Sequence, residues 1–333
     1  MIRIVQIHHP AHGRRVAIAE GSELVLLAGC DSLYRLLESE YGKRRSLTDT
    51  VTAATSKERL DYDAVHRGSS AWRLLPPFDH PDEPARCLVT GTGLTHKRSA
   101  HNRQAMHVNT TLPVTDSMRM YQWGLDGGRP APGEIGAQPE WFYKGCGTCL
   151  RAHGEPLEVP AFGLDGGEEA EVAGVYWIDP SGMPRRVGLA LANEFSDHKL
   201  EAKNYLYLAH SKLRTCALGP ELIVDPEFND ARGTVRLFRG QDKLWEKPFA
   251  TGEANMSHTL ANLEHHHFKY AAHRRPGDVH IHFLGADAFS FGEGVELHDG
   301  DVMELELAGF GRALRNPLRA APGPDKLVTV QPA

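Results

Sequence analysis

Short apolar runs and helical patterns alternate along the first 75 residues of the chain. The apolar runs lie at residues 2–6, 15–19 and 23–27, and helical spacing of apolar positions follows at 32–41 and 48–61. Runs of the first kind are typical of strands, and the two longer segments are typical of helices. The pattern predicts a small α+β N-terminal domain over residues 1–75.

A proline-rich segment follows this region. Residues 75–84 contain four prolines in ten positions, together with charges of both signs. This is the composition of a linker rather than of a helix or strand. We therefore predict a linker at residues 76–85.

The chain changes character from residue 86 onward. Glycine and proline divide it into short runs rich in Val, Leu, Phe and Tyr, at residues 171–178, 234–238, 279–283 and 302–307. One helix is predicted at 256–272, because Leu260 and Leu263 fall at helical spacing and Pro276-Gly277 follows as a stop. We predict a β-rich α+β domain over residues 86–320 and a loose tail at 321–333.

Composition and charge exclude several classes of protein. The 333 residues are 41% hydrophobic, enough to bury a sizeable core, so a wholly disordered chain is excluded. The net charge of −6 is spread along the sequence, and neither nucleic acid nor a membrane is expected as a partner. No stretch approaches the roughly 18 to 20 apolar residues of a membrane span, and residues 1–5 resemble a strand rather than a secretory signal. We expect a cytoplasmic protein.

The cysteines do not indicate a disulfide framework. They are few and scattered: Cys30, Cys87, Cys146, Cys149 and Cys216. Cys146 and Cys149 form a CxxC motif, but a zinc site needs a second pair or two histidines at ligand spacing. We predict a structural loop at this motif.

Three carboxylates carry the strongest chemical signal. Glu169 and Glu171 stand two positions apart, so in an extended strand both carboxylates face the same side. Two like charges held so close need a cation between them. Glu194 follows after about twenty residues and adds a third carboxylate if its strand end lies beside theirs. Three hard oxygen ligands suit Mg²⁺ or Mn²⁺ better than zinc.

The motifs around these carboxylates resemble the fumarylacetoacetate hydrolase superfamily in order and spacing. The matching segments are 142–144, 154–160, the acidic pair, 188–197, Lys212 before Gly219-Pro220, 276–279, 299–304 and 314–317. They span roughly residues 86–318. The resemblance implies a mixed β-sandwich or roll with a small N-terminal α+β domain, assembled as a homodimer.

The resemblance also implies roles for individual residues. The metal ligands are Glu169, Glu171 and Glu194, the last standing where the family usually has Asp. The expected ion is Mg²⁺, with Mn²⁺ and Ca²⁺ as alternatives. The catalytic residue is Lys212, and the substrate-binding residues are Lys144, Ser196 and His282.

Two departures from the family pattern affect the expected chemistry. The hydrolases of the superfamily carry a catalytic histidine at about the position of Ser99, and neither His96 nor His101 matches it. This argues against a dyad that activates water. A threonine is also absent after the run at 279–283, where the chain has Leu284-Gly285-Ala286, so a substrate-binding hydroxyl is missing there.

The segment at 201–212 favours one branch of the superfamily. It resembles the Asn-x-Leu-Tyr-Leu-x-x-x-Lys stretch of the sugar-acid members, the 2-keto-3-deoxy-pentonate dehydratases. The expected function is Mg²⁺-dependent dehydration of such a 2-keto acid to 2,5-dioxopentanoate in sugar-acid catabolism, with Lys212 removing the C3 proton. A carbon–carbon bond hydrolase of the acylpyruvate type is the alternative, and a non-catalytic sugar-acid binding protein is a third.

Histidines form a second candidate group. Residues 265–267 are three consecutive histidines on the predicted helix, where side chains point about 100° apart, so they cannot converge on one ion. His280 and His282 share one face of a predicted strand and, with His258, are candidates to line the pocket.

Overall fold

The computed structural model describes residues 1–43, 45–106 and 115–333, and residues 107–114 of the predicted 86–320 domain lie outside the described part. Strands dominate the described ranges. The strands are β1 (Ile2–His9), β2 (Gly13–Glu20), β3 (Glu23–Leu27), β4 (Thr55–Asp61), β5 (Arg73–Leu75), β6 (Cys87–Gly91), β7 (Phe142–Cys146), β8 (Leu150–Arg151), β9 (Leu157–Val159), β10 (Ala170–Ile178), β11 (Pro184–Asn193), β12 (Cys216–Val224), β13 (Ala231–Arg239), β14 (Asp242–Thr251), β15 (Val279–Phe283), β16 (Val302–Leu307) and β17 (Leu314–Ala320).

Helices connect these strands and cover the ends of the sheets. The α-helices are α1 (Leu33–Glu40), α2 (Leu47–Ala53), α3 (Tyr62–His66), α4 (Lys97–Met106), α5 (Asp116–Gly127), α6 (His198–Lys203), α7 (Leu208–Lys212) and α8 (Leu260–Phe268). The short 3₁₀ helices are Pro84–Arg86, Gly147–Cys149, Tyr205–Tyr207, Ala271–Arg274 and Ser290–Glu293.

The N-terminal region has the predicted α+β content with one correction. The three apolar runs lie in β1, β2 and β3, and the first helical pattern lies in α1, as predicted. The second pattern, predicted as one helix over 48–61, is instead the short helix α2 followed by the edge strand β4. Strand β4 pairs with β3, with Leu24 opposite Leu60, so pairing with a neighbouring strand overrides the helical spacing.

The N-terminal strands continue the large sheet of the rest of the chain. Strand β1 pairs antiparallel with β12, with Ile2 opposite Val224 and Ile4 opposite Leu222. The sheet runs in the order β4-β3-β2-β1-β12-β11-β10-β15-β6-β7. The prolines at 76–85 lie between regions that share one sheet.

The proline-rich segment is packed rather than exposed. Phe78 is buried in the core, and the carboxylate of Asp79 accepts hydrogen bonds from Gln6 at 2.8 Å and from Arg14 at 2.6 Å. Since Gln6 and Arg14 belong to β1 and β2, the segment predicted as a linker is fixed to the N-terminal strands.

Two layers of strands enclose a second hydrophobic core. The second sheet has the order β14-β13-β16-β17-β9. Every residue of β10 is buried, because one face of this strand packs in a core with helix α1 and Phe78, and the other faces the second sheet and helix α8. The predicted β-rich α+β fold class is confirmed.

Smaller predictions are met in part. The helix expected at 256–272 is shorter, because the Thr259 side chain caps α8 by accepting a hydrogen bond from Asn262 N and the helix ends at Phe268. The CxxC motif forms a 3₁₀ turn, and all five cysteines are free.

Residues 321–333 carry no regular structure. Within the described ranges no helix has the length and apolar content to cross a membrane.

A buried tyrosine links the N-terminal region to strand β12 of the large sheet and to the segment between β16 and β17. The Tyr62 hydroxyl donates to Glu221 on β12 at 2.9 Å, and the Arg312 guanidinium lies 4.1 Å from the Tyr62 ring centre. Arg312 N also donates to Glu221, at 3.1 Å. A single buried carboxylate therefore connects the start, the middle and the end of the chain.

Replacing Tyr62 by Phe removes one hydrogen bond to this buried carboxylate. We expect Tyr62→Phe to lower the free energy of unfolding by about 1.5–3 kcal/mol, the usual range for a hydrogen bond to a charged group. Urea denaturation measures the change, with Tyr41→Phe as the control because Tyr41 is exposed. Equal midpoints for the two variants would contradict this role of Tyr62.

Candidate active site

Two neighbouring strands deliver the three predicted carboxylates to one place. Glu169 and Glu171 lie at the start of β10, and Glu194 follows the end of β11. The two strands are antiparallel, with Ala170 opposite Asn193, so the start of one meets the end of the other. The three buried carboxylates each offer an oxygen atom within 4.8 Å of the others.

A tight turn after β11 aims Glu194 at the other two carboxylates. The Asn193 side chain accepts hydrogen bonds from the backbone N–H groups of Glu169 and Phe195, each at 3.2 Å. Phe195 adopts a left-handed backbone conformation with φ 45°, which is strained for a residue with a side chain. The strain is held in place by Asn193 and by the burial of the Phe195 ring.

Lys212 lies in contact with two of the three carboxylates. Its Nζ donates to Glu169 at 2.7 Å, to Glu194 at 2.8 Å and to the Ser196 hydroxyl at 2.9 Å. The Phe142 ring lies beneath the ammonium, 5.0 Å away. Helix α7 ends at Lys212, so this short helix is what places the ammonium group.

Lys144 reaches the same cluster from β7. Its Nζ donates to the Phe195 carbonyl oxygen at 2.7 Å and lies 3.3 Å from Glu194. The Ser196 hydroxyl donates to Glu194 at 2.9 Å. The structure therefore brings Lys144 and Ser196, both predicted to bind substrate, to the carboxylates.

The charges of this cluster favour a cation. Burial, together with the neighbouring charges of Glu194 and Glu169, raises the pKa of Glu171 well above its ordinary value, although Gly285 N donates to Glu171 at 2.7 Å. Three carboxylates then face two ammonium groups in a space closed to water. A divalent cation with a preference for oxygen ligands offsets the remaining charge, so the residues present fit Mg²⁺.

His198 contacts the carboxylate cluster directly, although the sequence pattern does not single it out. His198 Nε2 lies 3.0 Å from Glu169, and its ring stacks on Phe289 with the centres 4.9 Å apart. Burial lowers the pKa of His198, but the hydrogen bond to Glu169 and its charge outweigh burial and raise it overall. The available signal was the pair Asp197-His198 directly after the acidic motif, where Asp197 caps α6.

The structure places His282 away from the carboxylates. Its ring nitrogens lie 2.9 Å from the Thr90 hydroxyl and 3.1 Å from the Thr92 hydroxyl. On β10 and β15, Gly174 pairs with His282 and Ala173 with Phe283, so His282 and Glu171 point to opposite faces of the sheet. The strand alternation thus corrects the expectation that His282 binds substrate beside the metal ligands.

The other histidines pack together rather than around the carboxylates. His267 Nε2 lies 2.9 Å from His280 Nδ1, and the His267 ring stacks on His282 at 4.4 Å. Burial lowers the pKa of His280 to about 3, so this group stays neutral. His258 is 3.0 Å from the Asn262 side chain.

The hydrolase position is not filled by another histidine among the described residues. Ser99 is buried on α4, and His96 lies between the hydroxyls of Thr95 and Thr251 at 2.9 Å and 3.1 Å. Burial lowers the pKa of His96 to about 3. Within the ranges that the structure describes, neither His96 nor His101 contacts the carboxylates.

The chain is similar to known dehydratases in sequence and in fold. No protein-family model matches the chain. It is 23% identical over 244 residues to 2-dehydro-3-deoxy-D-arabinonate dehydratase from Saccharolobus solfataricus, a match that covers 72% of each chain. Two structures of 2-keto-3-deoxy-D-arabinonate dehydratase superpose with a TM-score of 0.71 over 96% of this chain. They are an apo form at 19% identity, covered completely, and a complex with magnesium and 2,5-dioxopentanoate at 20% identity, of which 99% is covered.

This chain has the fold of those dehydratases. A more distant likeness, to the 2-hydroxyhepta-2,4-diene-1,7-dioate isomerase of Mycobacterium marinum, has a TM-score of 0.59 and 15% identity over 97% of this chain and the whole of the other. These likenesses show a fold of the kind that the sequence resemblance implies.

Removing one carboxylate of the cluster should remove the metal site. We expect Glu169→Gln to weaken Mg²⁺ binding by about a hundredfold or more, since a neutral amide replaces one of three anionic ligands. Isothermal titration calorimetry with Mg²⁺ measures this loss. Glu227→Gln is the matched control at an exposed glutamate, and unchanged affinity in Glu169→Gln would rule out the ligand assignment.

Removing Lys212 should destabilise the folded protein, because the buried carboxylates lose a compensating positive charge. We expect Lys212→Met to lower the free energy of unfolding without metal by about 3–5 kcal/mol, because it leaves buried negative charge uncompensated. Saturating Mg²⁺ should recover part of this loss, since the ion supplies the missing positive charge. Thermal unfolding with and without Mg²⁺ measures both effects, and Lys203→Met, at an exposed position, is the control. A variant as stable as the control without metal would contradict this account.

Proposed function

We propose that this protein is a Mg²⁺-dependent dehydratase that converts a 2-keto-3-deoxy-pentonate to 2,5-dioxopentanoate. The observation that carries the proposal is the position of Lys212, whose Nζ lies 2.7 Å from Glu169 and 2.8 Å from Glu194 inside a cluster of three buried carboxylates. A curated relative has the name of this reaction, and a solved structure with the same fold carries magnesium and 2,5-dioxopentanoate.

Glu169, Glu171 and Glu194 are the residues that would hold the ion. A bound Mg²⁺ supplies Lewis-acid polarisation of the keto and carboxylate oxygens of a 2-keto acid. The protein fixes these three carboxylates before substrate arrives, through the Asn193 hydrogen bonds and the turn at Phe195. Ligands held in advance need no reorganisation during the reaction.

Lys212 is the candidate base for the C3 proton, a role that needs its neutral amine form. A divalent cation held beside it by Glu169 and Glu194 would take over the charge compensation of these carboxylates and favour that form. Its nitrogen is buried between two carboxylates, the Ser196 hydroxyl and the Phe142 ring, so a proton moved to this atom stays out of bulk water. Loss of the C3 proton and of the C4 hydroxyl releases one water and leaves a C3=C4 double bond. Removal of a proton from C5 and return of a proton to C3 shift this bond to C4=C5, and the resulting enol tautomerises to the dioxo acid. The reaction needs no activated water, which agrees with the absence of a histidine at the position of Ser99.

Lys144 and Ser196 are the candidates for binding the acid group of the substrate. Lys144 Nζ is held by the Phe195 carbonyl oxygen and lies 3.3 Å from Glu194, so its charge stands at the edge of the metal site. An ammonium group in that position attracts a carboxylate and orients it toward the ion.

An assay with purified protein tests the proposal. We expect Mg²⁺ to support formation of 2,5-dioxopentanoate from one epimer of 2-keto-3-deoxy-pentonate, EDTA to abolish it, and Glu169→Gln to lower it by about a thousandfold or more. The Glu227→Gln control should retain full activity. An acylpyruvate is assayed in parallel, and pyruvate release from it with both sugar acids untouched would show a carbon–carbon hydrolase instead.

We also propose that the protein acts as a cytoplasmic homodimer on a small-molecule substrate. The homodimer is the assembly that the family resemblance implies, and light scattering on purified protein measures it.

A further inference from the structure

The structure has a cavity that is built from other elements than the carboxylate cluster. It has a volume of about 750 Å³ and opens between the segment after α3, strand β5, the turn at 153–155 and strands β16 and β17. Its lining contains none of Glu169, Glu171, Glu194 or Lys212. The cavity therefore joins the N-terminal region to the second sheet and is separate from the candidate active site.

The charge of this cavity is positive. Arg67, Arg73 and Arg315 line it. Arg315 Nε lies 3.4 Å from Glu304, whereas for Arg67 and Arg73 the described part of the chain provides no ion pair. Glu155 is the acid in the lining, and its carboxylate accepts a hydrogen bond from Ala152 N at 2.8 Å. Two guanidinium groups are thus available to an anion.

The inner wall is aromatic and apolar. Trp72, Val65 and Leu74 line it beside the rings of His66 and His153, which stack with their centres 4.0 Å apart. Burial lowers the pKa of His153 to about 3, and burial also lowers the pKa of His66, so both rings are neutral. The rings offer flat surface, and the positive charge comes from the arginines alone.

We propose that this cavity binds a small organic anion that carries phosphate or carboxylate groups on a compact body. Guanidinium groups bind both kinds of anion through paired hydrogen bonds, and the aromatic wall suits a flat or apolar body. The volume lies within the range of about 300–1,000 Å³ that is usual for small-molecule sites.

The position of the arginines gives this binding a second effect. Arg67 and Arg73 belong to the N-terminal region, whereas Arg315 lies on β17 and His153 precedes β9. An anion held by residues of both regions connects them, and because it binds only the folded chain, it stabilises that state by an amount that grows with the ratio of anion concentration to Kd. This site is independent of the proposed dehydration and does not require the substrate or Mg²⁺.

Tryptophan fluorescence and thermal unfolding of the full chain test the proposal. Adenosine 5′-monophosphate and citrate are the two anionic probes, adenosine is the uncharged control, and sodium chloride keeps the ionic strength constant. We expect saturable quenching and a higher Tm with at least one anion and none with adenosine. The variant Trp72→Phe assigns the fluorescence signal, because it should lose the quenching and keep the rise in Tm.

A charge-matched pair of double variants identifies the site. We expect Arg67→Gln/Arg73→Gln to weaken anion binding by about tenfold or more and Lys57→Gln/Arg59→Gln, on the exposed strand β4, to leave it unchanged. All four residues are exposed, so both variants should keep the unliganded Tm. A stronger effect of adenosine monophosphate than of citrate identifies a phosphate ligand, and the reverse identifies a carboxylate. No saturation by either anion up to about 10 mM, or equal binding by the two double variants, overturns the proposal.

Discussion

The burial of three carboxylates at the junction of two strands is the constraint on which the candidate site depends. Charges of one sign cannot be enclosed together unless cations and hydrogen-bond donors surround them. The chain meets this requirement with Lys212, Lys144 and the Ser196 hydroxyl, and each comes from a different segment. The strained turn at Phe195 and the short helix α7 follow from the same need, because they carry these donors inward.

Part of this arrangement was predictable from local pattern. The alternation in an extended strand is enough to put Glu169 and Glu171 on one side, and the motif order was enough to select Glu194 and Lys212. The spatial role of His198 was not predictable in this way, because it depends on how the chain turns back after β11 to lay α6 over the cluster. His282 shows the complementary limit. Its alternation with His280 was clear, but its face relative to Glu171 depends on the register between β10 and β15, which the sequence does not display.

The fold shows a similar division. Short apolar runs are enough to locate strands such as β1, β10 and β15. The apolar spacing at 48–61 is compatible with a single helix. Only the pairing of its second half with β3 distinguishes strand β4 from helix α2. The prolines at 76–85 suggested a boundary, yet Phe78 and Asp79 bind the segment to the N-terminal strands. A proline-rich composition indicates a locally stiff chain, but it does not show whether the segment is exposed. Burial of the Phe78 ring is enough to make this segment part of the core.

The pairing of β1 with β12 has a consequence for synthesis of the protein. The two strands lie more than two hundred positions apart in the chain, so β1 leaves the ribosome well before its partner β12 is made. Until then β1 has an open edge, which is a site for aggregation. Strand β2 covers the opposite edge of β1, and β5 pairs with residues 6–8 on the edge that β12 occupies at residues 2–4. Nearby strands thus cover part of this edge early, and β12 closes the remainder in the finished protein.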